Sequence, residues 1–554
     1  MSPVLEPQPP ESRARRLERL AESAREPLDV LVVGGGITGA GVLLDLCARG
    51  LRVALVEQGD FAGQTSSASS RLIHGGLRYL EQYAFGLVRE SCLERAWLLK
   101  HAAGLVWPES FAFPLERGGR VGRLKLAAGL ALYTGLSLPR PLGLPGLISA
   151  GQLRERLPAL GAEGQARSRG AGVYLDGATI DSRLCWAVLR SAMDRGAVAL
   201  SRLRLESVGL GNKGVLARLK GSLNSSEVLE VHASRLVLCG GPFSEDLRGK
   251  AGLQGAWMAP TRGIHVVLER QRLPSEGAVI FTSKVDGRAM FLIPWAQRTI
   301  IGTTDVDADP NKPVAATLEE VDYLLASANG LCPEARLGRQ DVLSTWAGLR
   351  PLLASDGSPS ARSREERLAM EGPVYTLAGG KLTGFRSMAE GLGARLAADL
   401  GRGDRRRNSP TRQIRLYGCL EQPVGRPAWS RWPGFGGRAP DAEDLWTWAL
   451  ERRYGAQAEF VRSNAAGTPA LDPETRAGEI AYAVEHEDCL TAEDFLVRRT
   501  DLGYQSLEAL DRVLPEVFEG LGRALAWGPA ELAREQQAVG ALLQRLHGWR
   551  DGPR

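Results

Sequence analysis

No run of eighteen or more apolar residues occurs in the 554-residue chain, so a membrane-spanning helix is not expected. Cysteine is scarce: seven residues, at 47, 92, 185, 239, 332, 419 and 489, with no C-x-x-C. That excludes a disulfide scaffold, argues against a zinc site and favours a reducing compartment. The six histidines form no H-x-x-x-H pair, so no metal centre is expected. Charge of one sign is also lacking. A net +5 is too small for a nucleic-acid stripe, though it suits an acidic membrane surface or a phosphorylated substrate. Lysine is rare, eight residues against sixty-one arginines. The N-terminus has no signal-peptide core. Residues 11–26 are Arg-rich but carry four Glu, unlike acid-poor transit peptides, and residues 1–26 read as a solvated extension. What remains, 44% hydrophobic and 24% charged, is ordinary globular composition and excludes disorder for the whole chain.

The strongest local signal is Gly34-Gly35-Gly36-Ile37-Thr38-Gly39, a G-x-G-x-x-G directly after an apolar strand (28–33) and opening a helix to about Arg49. Gly34 permits the tight turn, Gly36 lets a pyrophosphate approach the backbone, and Gly39 lets helix and strand pack closely. The helix N-terminus adds free N–H groups for phosphate. A second strand, Leu51–Val56, ends at Glu57, whose carboxylate suits a ribose and would repel a 2′-phosphate. This is a βαβ unit that binds FAD or NAD in preference to NADP. Further strands are read at 235–239, 264–268, 279–282, 290–293 and 299–302, as an antiparallel meander inserted in the first domain. Helical text follows a charged, breaker-rich linker at 402–412. Asp305-x-Asp307-x-Asp309 imitates an EF-hand start, but Pro310 and Ala316 stand where Gly and Glu are needed, so calcium is rejected.

After Glu57 comes a long polar loop, Thr65 to Glu81 (TSSASSRLIHGGLRYLE), able to wrap a large cofactor. Here the chain resembles the FAD-dependent glycerol-3-phosphate dehydrogenases. The likeness runs through 88–102, YLDGATIDSRL (174–184), PTRGIHVVL (260–268), DGRAMFLIPWAQRTIIGTTD (286–305), WAGLRPLL (346–353), SREER (363–367), LAGGKLTGFRSMAE (377–390) and DFLVRRTDLGY (494–504).

The resemblance implies an α/β fold: a Rossmann-like FAD-binding domain (27–94, 165–245 and 342–401), an antiparallel-sheet substrate domain (95–164 and 246–341), and a C-terminal helical domain (413–554). It implies FAD held by Gly34, Gly36, Gly39, Glu57, Thr65, Ser66, Ser69, Arg71, Leu72, Gly241, Gly379, Gly380, Lys381 and Leu382. His265 is the implied base, with Arg350 or Lys381 stabilising the developing alkoxide. Arg78, Tyr79, Arg364 and Thr383 are the implied substrate residues, with Arg78 and Arg364 on the phosphate. His74 is assigned to shaping the loop. The implied reaction is oxidation of sn-glycerol 3-phosphate to dihydroxyacetone phosphate with electrons passed to a membrane quinone. The expected place is the cytoplasmic face of a bacterial inner membrane, held peripherally on anionic lipid by the apolar stretch 122–149 and the cations Arg117, Arg120, Arg123 and Lys125. No nucleic-acid partner is expected, and a homodimer stays open. The chain departs from the family at Gly384-Phe385, where hydroxyl residues are usual, at Glu366 in place of a histidine, and at Ala178, Ile180 and Leu238-Cys239. These changes keep two alternatives open: a flavin oxidase or related dehydrogenase, and a flavin-binding protein with a decayed site.

Overall fold

The computed structural model describes residues 8–119, 121–211, 214–354, 366–402, 409–421 and 441–551. The strand Leu28–Val33 is apolar on both faces because it has parallel neighbours on both sides, Val53–Val56 and Val228–Leu238. Val198–Leu200 and Val374–Gly379 extend the parallel core. Glu366–Glu371 closes one edge antiparallel, and the hairpin Leu203–Gly211 with Gly214–Gly221 pairs with the start of Val228–Leu238. Helices Ile37–Ala48, Asp181–Met193 and Phe385–Asp399 bury leucines, valines and Phe385 in one core with this sheet. Chain order and parallel pairing make it a Rossmann-like doubly wound layer.

A second sheet of ten strands stands beside it. Its centre is the expected meander, with Ala278–Thr282, Ala289–Trp295, Arg298–Gly302 and Thr261–Glu269 joined antiparallel; the strand read at 235–239 is not part of it, but the end of Val228–Leu238 in the parallel layer. The long pair Val106–Glu116 and Ser168–Thr179 continues the sheet, and Val342–Arg350 pairs with Thr261–Glu269. Residues 168–179 and 342–350, read from sequence as nucleotide-domain text, are therefore hydrogen-bonded into the substrate sheet. The nucleotide layer resumes at Asp181 and Glu366.

The C-terminal part is helical apart from a small hairpin, Ala470–Asp472 with Thr475–Arg476. Its helices include Ala442–Tyr454, Leu507–Leu525 and Pro529–His547, and the segment Asp494–Arg499 winds as a π-helix. The linker reading fails at its end, where Ser409 and Thr411 are buried and Ser409 Oγ donates to Asp45.

The N-terminal extension is the larger correction. Arg13–Ala21 is a helix capped by Ser12, with Leu20 buried among the first sheet's residues. Arg16 is 1% exposed. Its guanidinium donates to the Ala199 carbonyl and, through both terminal nitrogens, to Asp488 of the C-terminal part, all at 2.6 Å. The many charges of 11–26 hid an amphipathic helix whose one inward arginine ties two domains. Arg16→Ala removes these bonds, each charge-assisted bond being worth about 1.5–3 kcal/mol. A clear fall in the thermal unfolding midpoint is expected, and an unchanged midpoint would restore the solvated reading.

Candidate active site

A cleft of about 1910 Å³, open to solvent, lies between the two sheets. The turn after Val33 builds its nucleotide side. A Cβ on Gly34, where φ is +114°, would fall 2.4 Å from the Cys239 carbonyl oxygen, and one on Gly39 only 1.9 Å from that of Gly34. Both positions admit glycine alone because the helix sits directly on the turn. At Gly36, by contrast, a Cβ would meet only Ser66 Oγ, at 3.2 Å. Gly36 lines the cleft, so its need for glycine comes from the occupant. Glu57 also lines it. Its carboxylate accepts from Gly35 N–H at 2.6 Å and Gly59 N–H at 2.7 Å, while burial pushes its pKa up against those bonds. Each oxygen keeps a lone pair for a ribose hydroxyl.

The loop after Glu57 lines the cleft along its length. Ser66 Oγ accepts from Ile37 N–H at 3.0 Å, placing a hydroxyl at the helix N-terminus. Thr65 Oγ1 donates to the Leu349 carbonyl at 2.7 Å, and Ser69 N–H to Asp181 at 2.9 Å. Gly241 and the turn Gly379-Gly380, all with positive φ, line the cleft too, followed by Lys381, Leu382 and Thr383 ahead of the helix Phe385–Asp399. Narrow glycine turns, two helix N-termini, hydroxyls and Glu57 in one cleft fit an elongated dinucleotide such as FAD.

The second sheet contributes the reactive side. His265, 3% exposed, stacks on its cross-strand neighbour Trp346 with ring centroids 4.8 Å apart. Its Nε2 is 2.8 Å from Ser70 Oγ. Burial, then the nearby charges of Arg350 and Arg71, push its pKa down to about 3, so the ring is neutral at ordinary pH. Arg350 reaches the cleft from the adjacent strand. It donates to Asp305 at 2.6 Å, Thr303 Oγ1 at 3.0 Å and the Thr304 carbonyl at 2.8 Å. The Lys381 ammonium lies 3.8 Å from the centre of the Tyr79 ring.

Most residues expected from the sequence thus meet here, including His265, Arg350, Lys381, Tyr79, Thr383 and Leu72. Gly39 acts from behind the turn. Arg78 does not arrive: it is exposed and off the cleft wall, on a short turn that points its neighbour Tyr79 inward instead. Arg71 is also displaced. Its side chain turns away from the cleft into a bidentate pair with Asp501, both bonds 2.8 Å. Arg364 lies outside the described residues. Sequence reading missed Ser70, Thr303 and Asp305. The Asp305 carboxylate looked like a failed calcium ligand but serves as the partner of Arg350 and, at 3.3 Å, of Arg288. An acid two residues after the cleft residue Thr303, in the same GTTD stretch, was the available signal.

Two outcomes follow from this geometry. Gly36→Ala is expected to fold normally as apoprotein yet lose FAD, whereas Gly39→Ala loses both. Flavin absorbance with circular dichroism separates them, and full flavin content in Gly36→Ala would remove the cofactor from this wall. His265 makes stability pH-dependent in a stated direction. Its folded pKa is depressed from 6.5 to about 3, so its contribution is complete above 6.5 and falls away as the pH drops toward 3, by about 1.4 kcal/mol per pH unit. Below pH 6.5 the unfolding midpoint of His265→Gln should therefore decline less steeply than that of the unaltered chain.

Residues 29–400 match the FAD dependent oxidoreductase family, and residues 409–532 match the C-terminal domain of alpha-glycerophosphate oxidase. The aerobic glycerol-3-phosphate dehydrogenase of Staphylococcus epidermidis is 32% identical over 501 residues, covering 87% of this chain and 88% of that protein. Its counterpart from Staphylococcus aureus is 31% identical over 545 residues, covering 94% and 95%. Among solved structures, the glycerol-3-phosphate dehydrogenase from Bacillus halodurans complexed with FAD superimposes with a TM-score of 0.74 at 29% identity, covering 96% of this chain and 97% of that one. With the glycine turn, the FAD-shaped cleft and the helical C-terminal part all in place, the chain belongs to the FAD-dependent oxidoreductases, in the group of the aerobic glycerol-3-phosphate dehydrogenases.

Proposed function

We propose that the chain oxidises sn-glycerol 3-phosphate to dihydroxyacetone phosphate, with FAD bound in the cleft and a membrane quinone as acceptor. The observation that carries this reading is the grouping of a buried neutral imidazole, His265, with Arg350 and Lys381 in the cleft that has the nucleotide turn. FAD, when bound there, would supply the two-electron redox chemistry. His265 takes the C2 hydroxyl proton. Its depressed pKa keeps the ring unprotonated before substrate arrives, and the incoming phosphate dianion raises its basicity by favouring the protonated form. Ser70, at 2.8 Å from Nε2, orients the ring. Arg350 and Lys381 are the described cations in the cleft, and the phosphate and the developing alkoxide are assigned to them. Arg350 is held in place by Asp305, Thr303 and Thr304, so its charge is fixed at the cleft wall before substrate arrives.

An apolar face supports membrane docking. The helix Arg123–Leu136 packs Leu126, Leu130 and Tyr133 inward but leaves Leu124 88% exposed, and Leu144 beyond it is 92% exposed. Tyr83, Phe85, Leu132 and Leu138 are exposed too. Lys125 pairs with Glu81, and Arg89 donates to the Leu138 carbonyl, which joins this segment to the turn that carries Tyr79. Among the described residues no helix is long and apolar enough to cross a membrane. Leucines rimmed by cations suit an anionic lipid surface, and quinone access would then lie beside the cleft. Arg120, one of the cations read from the sequence, lies outside the described residues.

Anaerobic addition of glycerol 3-phosphate should bleach the bound flavin, with reoxidation faster by quinone than by air. The reverse order would make the protein an oxidase, and no bleaching would leave a decayed site. Arg350→Ala should lower kcat/KM by roughly ten- to a hundredfold with flavin content kept, on the scale of a lost charge-assisted hydrogen bond. For the membrane face, Leu124→Asp with Leu144→Asp should abolish sedimentation with anionic liposomes while leaving dye-linked turnover intact. Equal sedimentation of both proteins would rule out this face.

A further inference from the structure

The loop that lines the cleft is gripped from behind at both ends by three residues of one short C-terminal stretch, Arg498, Arg499 and Asp501. Near its start, beside Glu57, the buried Asp60 receives Arg498 Nε at 2.6 Å and Arg499 through two bonds of 2.7 and 3.0 Å. Near its end, Arg71 is held by Asp501 in the bidentate pair. Trp295 Nε1 also donates to Asp501, at 3.0 Å, and the Arg71 guanidinium lies over the rings of Trp295, Trp346 and Tyr504 at 4.5 to 5.4 Å. Burial would push the Asp501 carboxyl up, but Arg71 outweighs it and holds the pKa near 2, so the pair is ionised. The residues before Arg71 are those that face the cleft: Ser70 lies 2.8 Å from His265 Nε2, and Trp346 stacks on the face of that ring. The wide π-turn Asp494–Arg499 presents Arg498 and Arg499, adjacent in sequence, to one carboxylate.

From this we infer that the segment Arg498–Asp501 is a clasp that closes the cofactor loop over FAD, and that Asp501, acting through Arg71, is a positioning residue for Ser70 and His265. The second clause rests on the proposed reaction; the first does not. The clasp gives the C-terminal part a task in cofactor retention. The loop residues between the two grips carry the wall hydroxyls Thr65, Ser66 and Ser69, so the loop cannot lift without breaking a buried ion pair.

The test uses the holoenzyme and gentle substitutions. In Asp60→Asn, Arg498 keeps Asp494 and Glu493 while Arg499 keeps the Glu487 carbonyl. In Asp501→Asn, the amide oxygen still accepts from Arg71. FAD release after dilution, followed by flavin fluorescence, should be roughly ten- to a hundredfold faster in each. The gap between holo and apo thermal midpoints should shrink while the apo midpoint holds. Glu487→Gln, which loosens the interdomain pair with Arg183 without touching the loop, should release FAD at the original rate. With substrate and FAD in excess, Asp501→Asn should lower kcat and spare KM. Unchanged FAD release in both loop variants, or equal acceleration in Glu487→Gln, overturns the clasp. If the single variants fail to fold, Arg71→Met with Asp501→Leu replaces the whole pair by apolar groups, which buried pairs tolerate, and unchanged FAD release there overturns it as well. Should the flavin not bleach with glycerol 3-phosphate, the reaction falls while the release rates still judge the clasp.

Discussion

Everything in this structure depends on one stretch of chain having to serve two sheets. Residues 57–71 leave the parallel layer at Val56 and enter the second sheet at Leu72–Ile73, which pair with Ala178 and Gly177. The cleft is the gap this crossing spans, and its wall is made of the crossing loop. A loop of this length with few side chains of its own to bury is held by what lies on either side. On one side the helix Ile37–Ala48 meets it through Ser66; on the other, charges from the C-terminal part meet it through Asp60 and Arg71. Phe61 and Ala62 anchor the start of the loop in the core, and the polar part that faces the cofactor is fixed by ion pairs and hydrogen bonds.

That division explains which parts were legible in the sequence. The turn at Gly34–Gly39, the strand Leu28–Val33 and the helix Ile37–Ala48 were readable because their patterns follow from local rules of period and turn geometry. The meander strands around His265 were readable for the same reason. Residues whose roles depend on distant partners were not. Arg71 stood inside a cofactor motif and was taken for a cofactor ligand, but its partner is 430 residues further on. Arg16 looked like one of many surface arginines in a charged helix, and only the position of Asp488 makes it a buried tie. Arg78 was misplaced because Leu77–Gln82 winds as a 3-10 turn, where neighbouring side chains point about 120° apart, and nothing in a single sequence shows that Tyr79 takes the inward place.

The arginine excess has a structural meaning in the same terms. Arg16, Arg71, Arg95, Arg183, Arg298, Arg498 and Arg499 are all buried and all paired with carboxylates, several by two nitrogens. A planar guanidinium meets a carboxylate with two parallel bonds and keeps its charge under burial, which a lysine ammonium does less well. Pairs of this kind add little net stability over an apolar contact, yet removing one partner is costly. They specify which surfaces meet rather than how strongly, as required where an N-terminal helix, a cofactor loop and a C-terminal domain converge.

The same reasoning sets the charge of the reactive side. Arg350 stands beside His265 with Asp305 at 2.6 Å, a carboxylate it shares with Arg288, so the group keeps a net positive charge that acts on the imidazole. The Lys381 ammonium lies over the Tyr79 face, 3.8 Å from the ring centre. His265 feels the remaining positive potential together with its burial, which is why the ring is neutral when empty and gains basicity when negative charge arrives. In the proposed reaction, with His265 as the base, a neutral alcohol of the same size would bring no charge to raise the imidazole, and discrimination against it would act on proton transfer as well as on binding.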